Sequence, residues 1–504
     1  MKRHTARKVG EGGGARQSAP VRGPRRRAAR PGQLAAVLAG LLLALPACDA
    51  RDAVPDREDS TDRDAPTPLA LGVDVLLGDS LRVVEGRRVG LITNHTGVSW
   101  PAGLSGLSTI DRLHRHPDID LVALYSPEHG IRGEAGAGET VEGSVDAATG
   151  LPIHSLYGAT RKPTPEMLAG IDVLVFDIQD IGARYYTYVW TMALAMAAAG
   201  QEGLDFVVLD RPNPIGGEHV QGNVLDPEFA TFVGLYPVPM RHGLTAGELA
   251  RMLVGEYGVE VELTVVPMEG WTRRTWWVQT RLPFTPPSPN MPSVASATHY
   301  PGTCLFEGTN LSVGRGTDRP FQWIGAPWLD ARRVAERINA MVRDPGPAEA
   351  TGTTGTTGTT NATNATNATN ATDATNDASD DAGPDASAGS ARALAGFYAE
   401  ATAFTPAAPG DGKFAGREVA AVRFQMTDPR TYDPTRAAVA ALSVIHDLHA
   451  GRLAWNVAHF DRLAGTDALR EGIVAGMSLS ALTDGWDEQV TAFEQRREPY
   501  LLYR

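Results

Sequence analysis

The chain has almost no cysteine: two in 504 residues, Cys48 and Cys304. A disulfide framework is excluded, and the fold must be held by core packing. Long apolar runs are missing as well. The stretch 34-LAAVLAGLLLAL-45 stops after 12 residues, short of the roughly 20 that a membrane-spanning helix needs. No G-x-S-x-G elbow occurs, which removes that form of serine hydrolase. There is no Walker lysine, and no H-E-x-x-H or cysteine pair marks a metal site, so neither metal nor cofactor is expected. Positive charge is scarce too, 46 Lys and Arg against 59 Asp and Glu for a net charge of −13. No basic face to neutralise phosphates is expected, so nucleic acid is excluded as a partner.

What is present begins with the grammar of an export signal. Arg22, Arg25, Arg26, Arg27 and Arg30 precede the apolar run, which then meets small residues and Cys48. The tetrad 45-LPAC-48 resembles the bacterial lipobox, whose cysteine becomes the lipidated first residue of the mature protein. Residues 1–47 are therefore expected to be a lipoprotein signal peptide and Cys48 the lipidation site. Asp49 resembles an inner-membrane retention signal. The localisation this implies is an exported bacterial lipoprotein, on the periplasm-facing inner membrane or the cell surface, touching the membrane through its lipid only. The leader carries ten Lys or Arg and one Glu, so the remainder has a net charge of −22. Cys304, within 303-TCLF-306, reads as a small buried hydrophobe rather than a nucleophile.

Residues 48–68 are rich in Asp, Arg and Pro and read as a disordered tether. Beyond them 89-VGLIT-93, 119-IDLVALY-125, 171-IDVLVFDI-178 and 205-DFVVLD-210 have the composition of strands buried on both faces. They alternate with helical stretches such as 187-TYVWTMALAMAAAG-200, where Gly200 is placed as a stop, and 245-TAGELARMLVGEY-257, which opens on a capping box. The expected fold class is α/β, a Rossmann-like parallel sheet over 69–328, followed by a smaller α+β domain over 329–504. The second domain is interrupted at 346–392 by a low-complexity insertion of Thr, Gly, Asn and Ala, which cannot bury enough surface to order. Its Asn-Ala-Thr repeats read as a polar spacer.

In an open parallel sheet, ligands bind beyond the carboxyl ends of the strands. Those ends are polar here: Glu128 and His129; then Asp177, Gln179, Asp180, Arg184, Tyr185, Tyr186 and Tyr188; then Asp210, Arg211 and Asn213. Partial burial of Glu128 would raise its pKa toward that of a general acid. Asp177 and Asp180 suit either a site role or the binding of loop amides, and the tyrosines either core or a platform for a sugar. The loop holding Gly133, Gly136 and Gly138 runs G-x-x-G-x-G, the wrong order for a dinucleotide fingerprint, and Glu134 and Glu139 would repel a pyrophosphate.

The blocks 126-SPEHGIRGEAGAGE-139, 171-IDVLVFDIQDIGARYYTYVWTM-192, 210-DRPNPIGG-217, 288-SPNMPS-293, 300-YPGTCLFEGTNLSVGRGTDRPFQWIGAPW-328 and 460-FDRLAGTD-467 resemble the exo-β-N-acetylmuramidase NamZ family of peptidoglycan hexosaminidases. The resemblance implies an exo-acting glycoside hydrolase that releases N-acetylmuramic acid from the non-reducing end of peptidoglycan fragments, in a cleft between a Rossmann-like and a smaller domain. Glu128 would protonate the glycosidic oxygen. His129 would assist it, and Asp177, Asp180 or Glu307 would act as base or stabiliser, unless the substrate's own acetamido group attacks. The lactyl carboxylate nominates Arg184, Arg211 and Arg315, since a guanidinium binds a carboxylate through two parallel bonds. Gln179, Tyr185, Tyr186, Asn213, Asn290, Glu307 and Asn310 complete the expected substrate contacts, and Gly314 and Gly316 are expected to leave Arg315 flexible and exposed. Two other readings stay open: a non-catalytic peptidoglycan-binding lipoprotein, and a nucleotide-dependent sugar-modifying enzyme. Against the latter, NAD and nucleoside triphosphates should leave the melting temperature unmoved in a thermal-shift titration; a saturable rise of several degrees would restore it.

Overall fold

The computed structural model describes residues 68–101, 106–127, 130–132, 144–158, 160–343 and 394–504. The leader, Cys48, the tether up to residue 67, Glu128, His129, the glycines from Gly133 to Gly138 and the 346–392 insertion lie outside the described residues.

Strands β1 (Arg88–Thr93), β2 (Asp120–Ser126), β3 (Ser144–Val145), β4 (Pro152–Ser155), β5 (Val173–Asp177), β6 (Asp205–Leu209) and β7 (Glu262–Val266) form a seven-stranded sheet in the order β7-β6-β5-β1-β2-β4-β3. All neighbours run parallel except β3, which pairs antiparallel with β4. The six parallel strands thus have the doubly wound order of a Rossmann fold, and the winding reverses between β1 and β5, where Thr93 stands beside Asp177.

The strands read as continuous apolar runs because both of their faces are covered. Along β5, Val173 and Val175 enter one core with Leu76, Ile110 and Leu113 of the helices Gly72–Gly78 and Thr109–Arg115. Leu174 and Phe176 enter the other core, with Trp190, Met196, Leu249 and Leu253 of the helices Tyr188–Gln201 and Ala246–Gly255. The capping box of the latter forms as its sequence predicts: Thr245 Oγ1 accepts from Glu248 N, and Thr245 N donates to the Glu248 carboxylate at 3.0 Å. Gly200 is not a stop, because its helix runs on to Gln201. A Cβ there would lie 1.7 Å from Glu260 O, so glycine serves close packing.

The smaller, antiparallel sheet is ordered β8-β10-β9, from β8 (Trp323–Ala326), β9 (Phe397–Phe404) and β10 (Val419–Met426), so the second half begins ahead of the expected boundary at 329 and takes in the segment from Val294 onward. The helix Pro434–His449 packs on Val294–Thr303 so closely that a Cβ on Gly302 would meet Pro434 O at 1.8 Å. This half shares a continuous core with one face of the large sheet: Phe424, Ala438 and Ile445 belong to the same cluster as Phe176 and Trp190.

Two buried polar centres tie the halves together. Asp210, at the end of β6, accepts from Thr245 Oγ1 at 2.7 Å, Gly247 N at 2.9 Å and Tyr503 Oη at 2.6 Å. Burial pushes its pKa up to about 6 despite those donors. Arg184 is fully buried and donates to four carbonyls at 2.9–3.0 Å, those of Asn223 and Val238 from the first half and of Leu463 and Ala464 from the second. Arg184→Met would strand these acceptors. It is expected to destabilise the protein by about 3–5 kcal/mol in urea unfolding, and Arg184→Lys, lacking the fork, should recover less than half of the loss.

Candidate active site

At the point where the winding reverses, the chain leaves β1 as 94-NHTG-97 and leaves β5 as 178-IQDIG-182. The two are stitched together. Thr93 Oγ1 donates to Asp177 O at 2.8 Å, and Gln179 N donates to Thr96 Oγ1 at 3.0 Å. Pro127 and Gly130, the described residues flanking Glu128 and His129, are hydrogen-bonded to one another at 3.3 Å beyond the end of β2.

Asp177 and Arg211 face each other here as a buried bidentate pair. Arg211 Nε and Nη2 meet the two carboxylate oxygens at 2.5 and 2.8 Å, and Nη1 donates to Val98 O at 2.9 Å. Both carboxylate oxygens are taken and the side chain has no exposure, so Asp177 is a structural anchor rather than the expected catalytic carboxylate. Arg211 likewise has its guanidinium filled from within. Arg184 points into backbone carbonyls, as described above, and neither arginine is offered to a substrate carboxylate. Asn213 is also internal: its Nδ2 donates to Leu244 O at 3.0 Å and its Oδ1 accepts from Ile215 N at 3.2 Å. Asn310 pairs both ends of its amide with the backbone of Arg452 and Ala454.

Asp180 is placed differently. Its Oδ2 accepts from Gly182 N at 2.7 Å and lies 3.7 Å from His242 Nε2, while its Oδ1, although buried, has no partner among the described residues. Burial drives its pKa up to about 7 and that of His242 down to about 3, so this carboxyl keeps its proton well above the usual carboxylate range and sits beside a neutral imidazole. Because Leu244 N donates to His242 Nδ1, the ring proton sits on Nε2. Gln179 has both amide protons engaged, with Asp180 O and Pro212 O at 2.7 Å each, leaving Oε1 buried and unpaired among the described residues. Asn94 mirrors it: its Oδ1 accepts from Thr96 N and Oγ1, and its Nδ2 is buried without an acceptor among the described residues.

Beside these strand ends opens a cleft of about 490 Å³, counting the space continuous with solvent. Its walls are Tyr185, Tyr186, Thr187 and Tyr188 after β5, Ser288, Asn290 and Met291 of the proline-rich loop, and Tyr300, Arg315 and Phe321 of the second half. The tyrosines belong to the core and also line the cleft. Tyr186 meets Tyr188 and Tyr300 edge to face at 5.1 and 5.9 Å, and Tyr300 meets Phe321 at 4.7 Å. The hydroxyls of Tyr185 and Tyr188 bind Pro301 O and Pro287 O, and His95 Nε2 lies 2.7 Å from Pro286 O, which seats the proline-rich loop over the end of β1.

Arg315 enters from a rigid turn rather than the flexible one expected. Gly314 and Gly316 both have φ of +77°, which disfavours any side chain there. A Cβ on either would strike Trp323 or the Pro409 backbone. Glu307 holds Arg315 Nε at 2.5 Å, so Glu307 serves as the arginine's partner and not as a free base. Cys304 is buried, with its pKa raised by burial. Among the described residues no group of three or more His, Cys, Asp or Glu could hold a metal ion. The structure therefore gathers Tyr185, Tyr186, Asn290 and Arg315 at the cleft, with Glu307 behind Arg315, and turns Asp177, Arg184, Arg211, Asn213 and Asn310 to internal contacts. Sequence reasoning missed Asn94, Tyr300 and Phe321; the unusual block from Tyr300 to Trp328 was the signal available for the last two.

Because the folded pKa of Asp180 lies above its unfolded value, the native state binds the extra proton between about pH 4 and pH 7, and its stability falls as pH rises through that window. Asp180→Asn should remove this part of the slope, on the order of a few kcal/mol, in urea midpoints measured from pH 4 to 8.

The family description "Exo-beta-N-acetylmuramidase NamZ, N-terminal" matches residues 89–295, and its C-terminal counterpart matches 298–354 and 381–503. The peptidoglycan β-N-acetylmuramidase NamZ of Bacillus subtilis is 39% identical over 470 residues, covering 93% of this chain and 99% of that protein. Crystal structures of two DUF1343 family proteins from Bacteroides fragilis superpose with TM-scores of 0.71 and 0.62 at 34% and 27% identity, covering 86% and 87% of this chain and 99% of each of theirs.

Proposed function

The chain belongs to the exo-β-N-acetylmuramidase NamZ family, and from that premise we propose how it acts as a glycoside hydrolase that releases N-acetylmuramic acid from the non-reducing end of peptidoglycan fragments. The observation that carries this reading is the match to the Bacillus subtilis muramidase across 93% of the chain, spanning both halves that line the cleft.

Glycosidic cleavage passes through an oxocarbenium-like state and needs an acid at the leaving oxygen and a second carboxyl opposite. Glu128, next in the chain after the C-terminal end of β2 and Pro127, is the proton donor, and His129 orients it. Asp180 is the second carboxyl. Its unpaired Oδ1 and a pKa of about 7 suit a group that takes up a proton at neutral pH, whereas Asp177 is consumed by Arg211. The rings of Tyr186, Tyr300 and Phe321 supply the apolar walls that a pyranose packs against. Cys48 carries the lipid, which holds the enzyme on the exported side of a membrane, where wall fragments are released. The basic and apolar leader supports this placement.

Incubation with a muramyl-glucosamine disaccharide should yield free N-acetylmuramic acid, and Glu128→Gln should lower kcat by about 10²–10⁴-fold. A Glu128→Gln enzyme with parental kcat would overturn the assignment of the acid. Cys48→Ala should move the protein from the membrane fraction to the soluble one in fractionated cells.

A further inference from the structure

Among the described residues that line the cleft, Arg315 alone carries a charge. Its guanidinium is held on one edge only. Nε donates to Glu307 Oε1 at 2.5 Å, whereas neither Nη1 nor Nη2 has a hydrogen-bond acceptor among the described residues. The group cannot swing away. The Phe321 ring lies 5.4 Å from its central carbon, and the backbone on both sides is fixed by Gly314 and Gly316 against Trp323 and Pro409. Burial disfavours the charge, but Glu307 outweighs that penalty by charge and hydrogen bond, so the arginine stays ionised. Its side chain is 20% exposed, enough to be reached from the cleft. The outer end of a guanidinium fixed in this way presents two parallel N–H groups, the geometry that binds a carboxylate through both oxygens.

N-acetylmuramic acid differs from N-acetylglucosamine by the lactyl ether at O3, whose carboxylate is anionic at neutral pH. We propose that Arg315 takes this carboxylate with Nη1 and Nη2 and so sets the preference for muramic over glucosamine ends, while Glu307 acts as a positioning residue that holds Nε and aims the free edge into the cleft. The inference rests on the reading of the cleft as the muramic acid site. The neutral remainder of the described lining, Thr187, Ser288, Asn290 and the aromatic rings, suits the part that the two sugars share. Arg184 and Arg211 do not compete for the role, since both terminal nitrogens of Arg184 are occupied by carbonyls and the three nitrogens of Arg211 by Asp177 and Val98 O.

The test measures binding of free N-acetylmuramic acid and N-acetylglucosamine by calorimetry, and hydrolysis of the two matching chromogenic β-glycosides, in the parent and in Arg315→Ala, Arg315→Lys, Glu307→Ala and Glu307→Gln. In Arg315→Ala the ratio of the two affinities should fall by about 10- to 100-fold, as expected for losing a charge-assisted bidentate contact. Arg315→Lys should restore only a minor part, because an ammonium keeps the charge without the fork. Glu307→Ala should raise KM for the muramide more than it lowers kcat, and Glu307→Gln, which can still accept from Nε, should recover most of that KM. An Arg315→Ala protein that keeps the parental ratio of affinities overturns the proposal. If Arg315→Ala binds neither sugar, Arg315→Lys decides by the same ratio. A parent that prefers the muramic sugar in calorimetry but cleaves neither glycoside would sink the hydrolytic reading and leave the recognition intact. A parent that cleaves the muramide while Arg315→Ala retains its preference would do the reverse.

Discussion

The architecture of the site depends on one buried ion pair. Asp177 ends β5 and Arg211 follows β6, and their bidentate contact, with the third arginine nitrogen on Val98 O, fixes the exits of β5 and β6 and the segment after β1 relative to one another. A pair with so little exposure gains little net stability over an apolar substitute, since desolvation offsets most of the attraction. Losing one partner, however, costs about 3–5 kcal/mol, because the other is left charged in the interior. The pair therefore acts as a specification of geometry. It sets where the loop from Ile178 to Thr187 begins, and every group that loop carries inherits its position from there.

That loop has two duties. Asp180, with its unpaired oxygen, and Tyr185 and Tyr186 on the cleft wall are separated by only a few residues from Arg184, which joins carbonyls of both halves. Tyr185 serves both purposes, since its ring lines the cleft and its hydroxyl holds Pro301 O in the second half. Wall and fastening are thus parts of the same loop, and the cleft cannot open widely without disturbing buried hydrogen bonds.

Much of the fold was legible because burial on both faces writes itself into composition. β1, β2, β5 and β6 stand where their Val, Ile and Leu runs predict, and the capping box at Thr245 marks its helix start. β4, 152-PIHS-155, is short, partly polar and near the sheet edge, so it carries no such signature. In the site, the sequence showed that polar residues crowd the strand ends but not which way they face. An arginine after a strand reads the same whether it meets a ligand or four carbonyls. The acceptors that claim Arg184 come from positions 223, 238, 463 and 464, and only the folded chain brings them together. Gly314 and Gly316 misled in the opposite sense: glycine there gives a left-handed backbone wedged against Trp323 and Pro409, a rigid mount for Arg315 instead of a loose one.

The contact between Asp210 and Tyr503 spans 293 positions of the chain, and so imposes an order on biosynthesis. A ribosome delivers the strand that ends at Asp210 long before it delivers the phenol that meets that carboxyl. Until then that acid has its donors from Arg211, Thr245 and Gly247 but lacks the one supplied by the phenol. The last contact of the first half's core acid is thus supplied by the second-to-last residue of the sequence.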